Sequence, residues 1–255
     1  MSERKRWTRL ASAHPYWAVL DHPRFRADRL GPDDVRAFFD TGERDLANTL
    51  SAIRRVRPDF HPSRALDYGC GVGRLTLPLA RQSDHAIGVD LSVPMLAEAR
   101  RNAEAHGVRN VEFIEADEFF GADDARFAVD FVYSYIVLQH VPPRIGLHIT
   151  GVLLRRLAPG GVAALHYTYA RRASLLRRVV HPLRRVVPGV NAIVNILQRR
   201  PVFEPMIPMY EYDLAALFDT FQRHGCTSMH VDLTDHGGHL GAMFLLEKRA
   251  APAAG

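Results

Sequence analysis

Short apolar runs rich in Val, Ile, Ala and Tyr alternate with amphipathic stretches through the middle of the chain. The runs at 65–68, 86–89, 111–114, 129–133 and 162–167 are too short for helices and are bounded by turn residues, so they predict strands. Between them the apolar spacing predicts helices over 74–81, 93–105 and 144–157. Ser92 stands as cap before the second, Gly107 lies just past its end, and Pro159-Gly160-Gly161 stops the third. Strict alternation of this kind gives a parallel sheet covered on both faces. A further helix is predicted over 212–224. Two strands follow at 227–233 and 240–247, joined by a glycine turn so short that they must be antiparallel. Ahead of the sheet, Tyr16, Trp17, Phe25 and a long amphipathic stretch through Asp34 predict a helical cap that either covers a sheet edge or roofs the site.

Each inter-strand turn carries chemistry. After the first strand the chain reads Gly69-Cys70-Gly71-Val72-Gly73, a turn bare enough for a ligand to approach the backbone beside the free amides of a helix start. A dinucleotide fingerprint would need glycine where Arg74 stands, and the Lys-Ser/Thr pair of a triphosphate loop is missing. Asp67, inside the first strand, would repel a pyrophosphate but suits a cationic amine. Asp90 closes the second strand, 17 residues after Gly73, where a carboxylate takes ribose hydroxyls. Asp117 follows the third and suits an adenine amine. An amine, a ribose and an adenine without phosphates describe S-adenosylmethionine.

These stretches, LDYGCGVGR, GVDLSVPMLAEAR, EFIEADE, FVYSYIVLQHVP and LLRRLAPGGVAALH, resemble in their order the class I S-adenosylmethionine-dependent methyltransferases. The resemblance implies an α/β, Rossmann-like, seven-stranded and mostly parallel sheet with a final antiparallel hairpin, helices on both faces and a helical N-terminal cap. It implies a cap over residues 1–60 and a methyltransferase domain over 61–255 with a basic insertion at 171–208. It further implies that Asp67, Gly69, Cys70, Gly71 and Gly73 hold the methionine moiety and Asp90 the ribose. Leu91 and Met95 would flank the adenine, Asp117 and Glu118 would meet its edge, and Ser134 would face the methyl group.

A protonated oxygen or nitrogen acceptor needs a base, and ligands in open α/β sheets bind at the C-terminal edge of the parallel strands. That edge should hold His140, Tyr167, Tyr169, Tyr210, Glu211, Asp235, His236 and His239. His140 and His236 are the expected catalytic bases, with Tyr169, Tyr210 and His239 at the substrate. Asp235, His236 and His239 crowd one short turn without a further donor fixed by the sequence, so no metal is expected.

Charge refines the picture in one place. The formal net charge is +5, yet residues 171–200 hold eight arginines and no acidic residue, which leaves a net −3 elsewhere. The basic segment has an amphipathic pattern that fits a solvated lid, an anionic membrane surface or an anionic substrate. After the fourth strand the chain reads YSYI, without the Asn/Asp-Pro-Pro-aromatic or Pro-Cys patterns of base methyltransferases, so no nucleic-acid partner is expected. Two cysteines without a CxxC, a charged N-terminus and no membrane-length apolar run point to a cytoplasmic protein. The expected function is methyl transfer to O or N of a small molecule, glycan or lipid-linked acceptor. The alternative is a catalytically silent S-adenosylmethionine-binding regulatory module.

Overall fold

The computed structural model describes residues 3–27, 30–172 and 208–250, and the basic insertion therefore lies almost wholly outside the described residues. Helices α1 (Glu3–Ala13), α2 (Pro15–Val19) and α3 (Pro32–Val56) come first. Then β1 (Arg64–Tyr68), α4 (Thr76–Arg81), β2 (His85–Asp90), α5 (Val93–Ala105), β3 (Val111–Glu115), α6 (Ala116–Gly121) and β4 (Val129–Ser134) alternate. The chain continues through α7 (Pro143–Arg156) and β5 (Leu157–Arg171), and the last elements are α8 (Leu214–Arg223), β6 (Cys226–His236) and β7 (His239–Lys248).

Among the described residues the strands form one seven-stranded sheet in the order β3-β2-β1-β4-β5-β7-β6. The five strands on the β3 side run parallel, whereas β7 is antiparallel to both β5 and β6. The strand β6 thus runs with the parallel set, and its turn to β7 emerges at the same edge as the loops after β1, β2 and β4. Central strands are apolar nearly throughout because both faces are covered: Leu66, Ile87, Val132 and Leu165 lie in one cluster with α6, α7 and α8, while Ala65, Phe131 and Ala164 pack in another with α3. Leu10, Tyr16, Trp17 and Phe38 from the first helices join Cys70, Met95 and Phe113 in a shared core.

Two expected boundaries move, each for a physical reason. The expected helix start at Arg74 is a turn instead, because Gly69, Gly71 and Gly73 all take positive φ and cannot belong to a right-handed helix. The fifth strand begins at Leu157 rather than Val162: Leu157 pairs with Val129, and the ladder resumes at Phe131 and Val162 after a bulge that absorbs Pro159 and Gly160. No helix among the described residues is long and apolar enough to cross a membrane.

Candidate active site

The loops after β1, β2 and β4 open into a cavity of about 940 Å³ including its solvent mouth. Its wall holds Asp67, Gly69, Cys70, Gly71, Asp90, Leu91, Met95 and His140, which the sequence had scattered over three turns. Trp7, Val19, Arg74, Ser92, Tyr135 and Val137 are among its other lining residues, so the N-terminal helices roof this space as well as covering the sheet.

Asp67 is 1 % exposed and accepts a 2.6 Å hydrogen bond from the Thr76 hydroxyl, and burial pushes its carboxyl up to about 7. Asp90 accepts from the Gly71 N–H at 3.0 Å and the Ser92 N–H at 2.8 Å; burial raises it too, against those bonds. Two poorly solvated acids in one cavity disfavour an anionic ligand and favour one that brings a cation and hydroxyl donors. Ser92 was expected to cap α5, yet its buried hydroxyl has no partner, and the residue lines the cavity instead. The glycine turn is a cradle: at Gly69, with φ of 78°, a Cβ would stand 2.4 Å from Val137 Cγ1.

His140 ends a short 3-10 turn, Leu138–His140. Its Nδ1 lies 2.9 Å from the Pro208 carbonyl oxygen, which can only accept, so Nδ1 carries the proton and Nε2 presents the lone pair, 3.3 Å from the Gln139 amide nitrogen. Burial lowers its pKa, keeping the ring neutral and able to take a proton at pH 7. The turn is held by Tyr212, 2 % exposed, whose hydroxyl reaches the carbonyls of Leu138 and Val141 at 2.8 and 2.9 Å. Tyr212→Phe strands those acceptors and is expected to cost about 1–3 kcal/mol in denaturant unfolding. A midpoint equal to that of the parent would show the bonds to be dispensable.

Other expected residues lie elsewhere. Asp117 pairs with Arg4 of α1 at 2.5 Å, and Arg4 also donates to the Leu91 carbonyl; Glu118 pairs with Arg126 at 2.6 Å. Neither acid is in the cavity wall. Ser134 is buried and donates to the Tyr68 carbonyl at 2.9 Å instead of meeting the cavity. Tyr167 is wholly buried with its hydroxyl 2.7 Å from that of Thr150, a core role rather than a catalytic one. Tyr169 packs against the core, and Tyr210 donates its backbone N–H to the Gln139 carbonyl over the His140 turn. Arg171 faces Glu211 at 3.6 Å, and Asp235 accepts from the Gly238 N–H within the hairpin turn.

His236 and His239 are not in the cavity wall; His236 stands beside His166 and Tyr135, two residues the sequence analysis missed, and His239 is paired opposite it in the hairpin. Tyr135 belongs to the YSYI stretch that drew attention only for the patterns it lacks. The neighbouring Ile136, with φ of 60°, is the one described non-glycine residue at positive φ.

Comparison with known proteins agrees with this geometry. Residues 65–161 match the family model described as a methyltransferase domain. A solved magnesium protoporphyrin IX methyltransferase from Synechocystis with bound S-adenosylmethionine superposes with a TM-score of 0.57 at 16 % identity, over 97 % of this chain and 98 % of that one. Residues 65–161 form a methyltransferase domain, and the described fold is shared with that solved methyltransferase. The N-terminal domain of EvdMO1, solved with S-adenosylhomocysteine and D-fucose, superposes with a TM-score of 0.54 at 20 % identity over 98 % of both chains.

Curated relatives include 23S rRNA (uracil(1939)-C(5))-methyltransferases from Stenotrophomonas maltophilia, 46 % identical over 128 residues, and from Hahella chejuensis, 35 % identical over 115 residues. These matches take in 46 % and 44 % of this chain but only 27 % and 25 % of the relatives. They nevertheless overturn the expectation that nucleic acid is no partner, since these partly matching relatives are by name methyltransferases of ribosomal RNA. The base-methyltransferase patterns used for that exclusion describe particular routes to particular bases, so their absence excluded less than it was taken to.

Proposed function

We propose that the chain transfers the methyl group of S-adenosylmethionine to an oxygen or nitrogen of a small molecule or glycan, with His140 as the base. The observation that carries this is the shared cavity: the buried Asp67 and half-buried Asp90 carboxylates, a glycine cradle and a neutral histidine whose Nδ1 is held by the Pro208 carbonyl.

S-adenosylmethionine supplies an electrophilic methyl group on a sulfonium that leaves as a neutral thioether. Asp67 would hold the amine, Asp90 the ribose hydroxyls, and Leu91 and Met95 the adenine faces. Asp117 and Glu118 lie outside the cavity wall, paired with Arg4 and Arg126, so the adenine edge is not assigned to them. Trp7, 5.6 Å from the His140 ring, and Val19 exclude water above the reacting atoms. His140 Nε2 takes the acceptor's proton as the new bond forms. Both cysteines are free and buried, which fits a reducing cytoplasm and leaves no exposed thiol as nucleophile.

Asp67 makes the cofactor step pH-dependent. Its carboxyl titrates near 7 in the fold and lower when unfolded, so the protonated form stabilises the free protein at acid pH and that contribution is lost as pH rises through about 7. A cationic amine needs the ionised form. Binding of S-adenosylhomocysteine at pH 6 is therefore expected to release protons, and affinity should rise by up to about tenfold per unit toward pH 7. Calorimetry in buffers of different ionisation enthalpy reads this directly. Proton uptake, or an Asp67→Asn variant with the same pH profile as the parent, would contradict it.

The activity is tested by incubating the protein with methyl-labelled S-adenosylmethionine and either a small-molecule extract or total RNA. Label in the small-molecule fraction is the expected result. Label confined to RNA would overturn the acceptor class, and none in either fraction despite cofactor binding would make the chain a silent binding module.

A further inference from the structure

His166 comes from β5, His236 from the end of β6 and His239 from the start of β7; the first two gather beside Tyr135, and His239 is paired opposite His236. The centroids of the His166 and His236 rings are 5.2 Å apart, and that of Tyr135 is 5.3 Å from the first and 6.1 Å from the second. His166 is fully buried; its Nε2 meets the Thr234 hydroxyl at 2.8 Å while its Nδ1 has no partner. His236 Nε2 and His239 Nδ1 are likewise buried without partners. Unsatisfied buried polar atoms are costly, and three on adjoining rings exceed what packing alone explains. Gly241 preserves the arrangement, since a Cβ there would fall 2.8 Å from His166 Nε2.

The rings are uncharged. Burial drives His166 down to about 3, and burial also lowers His236 and His239. Facing His239 is Arg171, offset by Glu211 and Asp235, and facing His236 are Asp235 and Asp45, the latter paired with Arg74 at 2.6 Å. Neutral imidazoles among more carboxylates than free guanidinium charge form a poor anion site but offer donors and acceptors to hydroxyl groups. No group of three described His, Cys, Asp or Glu residues is arranged to hold a metal. Tyr135 forms part of the cavity wall and touches both rings, so it links the cluster to the cavity.

We propose that His166, His236 and His239, with the aromatic face of Tyr135, form the acceptor subsite, and that it takes an uncharged compound bearing neighbouring hydroxyl groups, one paired to each orphaned ring nitrogen. The proposal rests on the methyltransferase reading above. It assigns His236 to acceptor binding and leaves the proton to His140.

The test uses the full chain saturated with S-adenosylhomocysteine and follows the imidazole resonances by NMR during titration with methyl glycosides, catechol and, separately, inorganic phosphate. The glycosides or catechol are expected to shift the His166 and His236 signals, with phosphate inert. His236→Leu should weaken that response about tenfold, with S-adenosylhomocysteine affinity unchanged; His166→Phe should do the same if it folds. Silence toward every neutral compound, stronger binding of phosphate, or a parallel fall in S-adenosylhomocysteine affinity in His236→Leu would each overturn the subsite. A parent chain that fails to bind S-adenosylhomocysteine at all would instead remove the reading on which it rests.

Discussion

Gly69→Ala is expected to lose about 2–5 kcal/mol of stability and most of its affinity for S-adenosylhomocysteine. A left-handed φ of 78° strains any L side chain, and the added Cβ would stand 2.4 and 2.6 Å from the two methyl carbons of Val137. Val137 cannot retreat freely, because it follows Ile136, itself at positive φ, and forms the cavity wall. The turn after β1 and the turn after β4 are therefore fitted to each other, and enlarging one displaces the other into the space of the cofactor. Gly121→Ala is the matched control, since nothing stands within 4 Å of a Cβ there and its φ is not positive. Denaturant melts of both variants, with calorimetry at a temperature where both are folded, separate the backbone effect from a generic one. Equal stability and equal affinity in the two would show that the cradle tolerates a side chain.

His140→Ala should lower turnover by about a hundredfold or more while leaving S-adenosylhomocysteine affinity near that of the parent. The ring's Nδ1 is engaged by the Pro208 carbonyl, so the variant removes the lone pair on Nε2 without touching Asp67 or Asp90. Because burial depresses its pKa, the parent saturated with S-adenosylmethionine should keep full turnover down to a pH below the ordinary histidine range, and the loss should appear only as the ring is protonated there. His140→Gln, which can keep the contact to Pro208, should be as inactive as the alanine variant. Near-normal rates in both would mean that alignment alone carries the reaction, as for an acceptor already deprotonated.

What the sequence made legible is what depends on local spacing. The glycine turn, Asp67 and Asp90 were readable because each sits at a fixed offset from a strand end, and the fold holds them around one cavity. Met95 came only from the family resemblance, and it lines the same cavity. Asp117 was read from the same logic, but its rim position brings it to Arg4, more than a hundred residues away in the chain, and no local pattern announces that pair. Ser134 shows the same limit: a hydroxyl at a strand end can point at a ligand or back to a neighbouring strand, and here it satisfies the Tyr68 carbonyl. The His166 and His236 rings meet because β5, β7 and β6 are neighbours in a particular register, with Gly241 against Thr234 and Thr168. That register is set by packing across the sheet, which periodicity within one strand does not encode.

The central claim is that the cavity at the ends of β1 and β2 binds S-adenosylmethionine through Asp67 and Asp90, and calorimetry with S-adenosylhomocysteine and NADH tests it most directly. The parent should bind one S-adenosylhomocysteine per chain and no NADH, and Asp90→Ala should lose about 1–3 kcal/mol of that binding by stranding the ribose hydroxyls. Tight NADH binding with none of S-adenosylhomocysteine would contradict it.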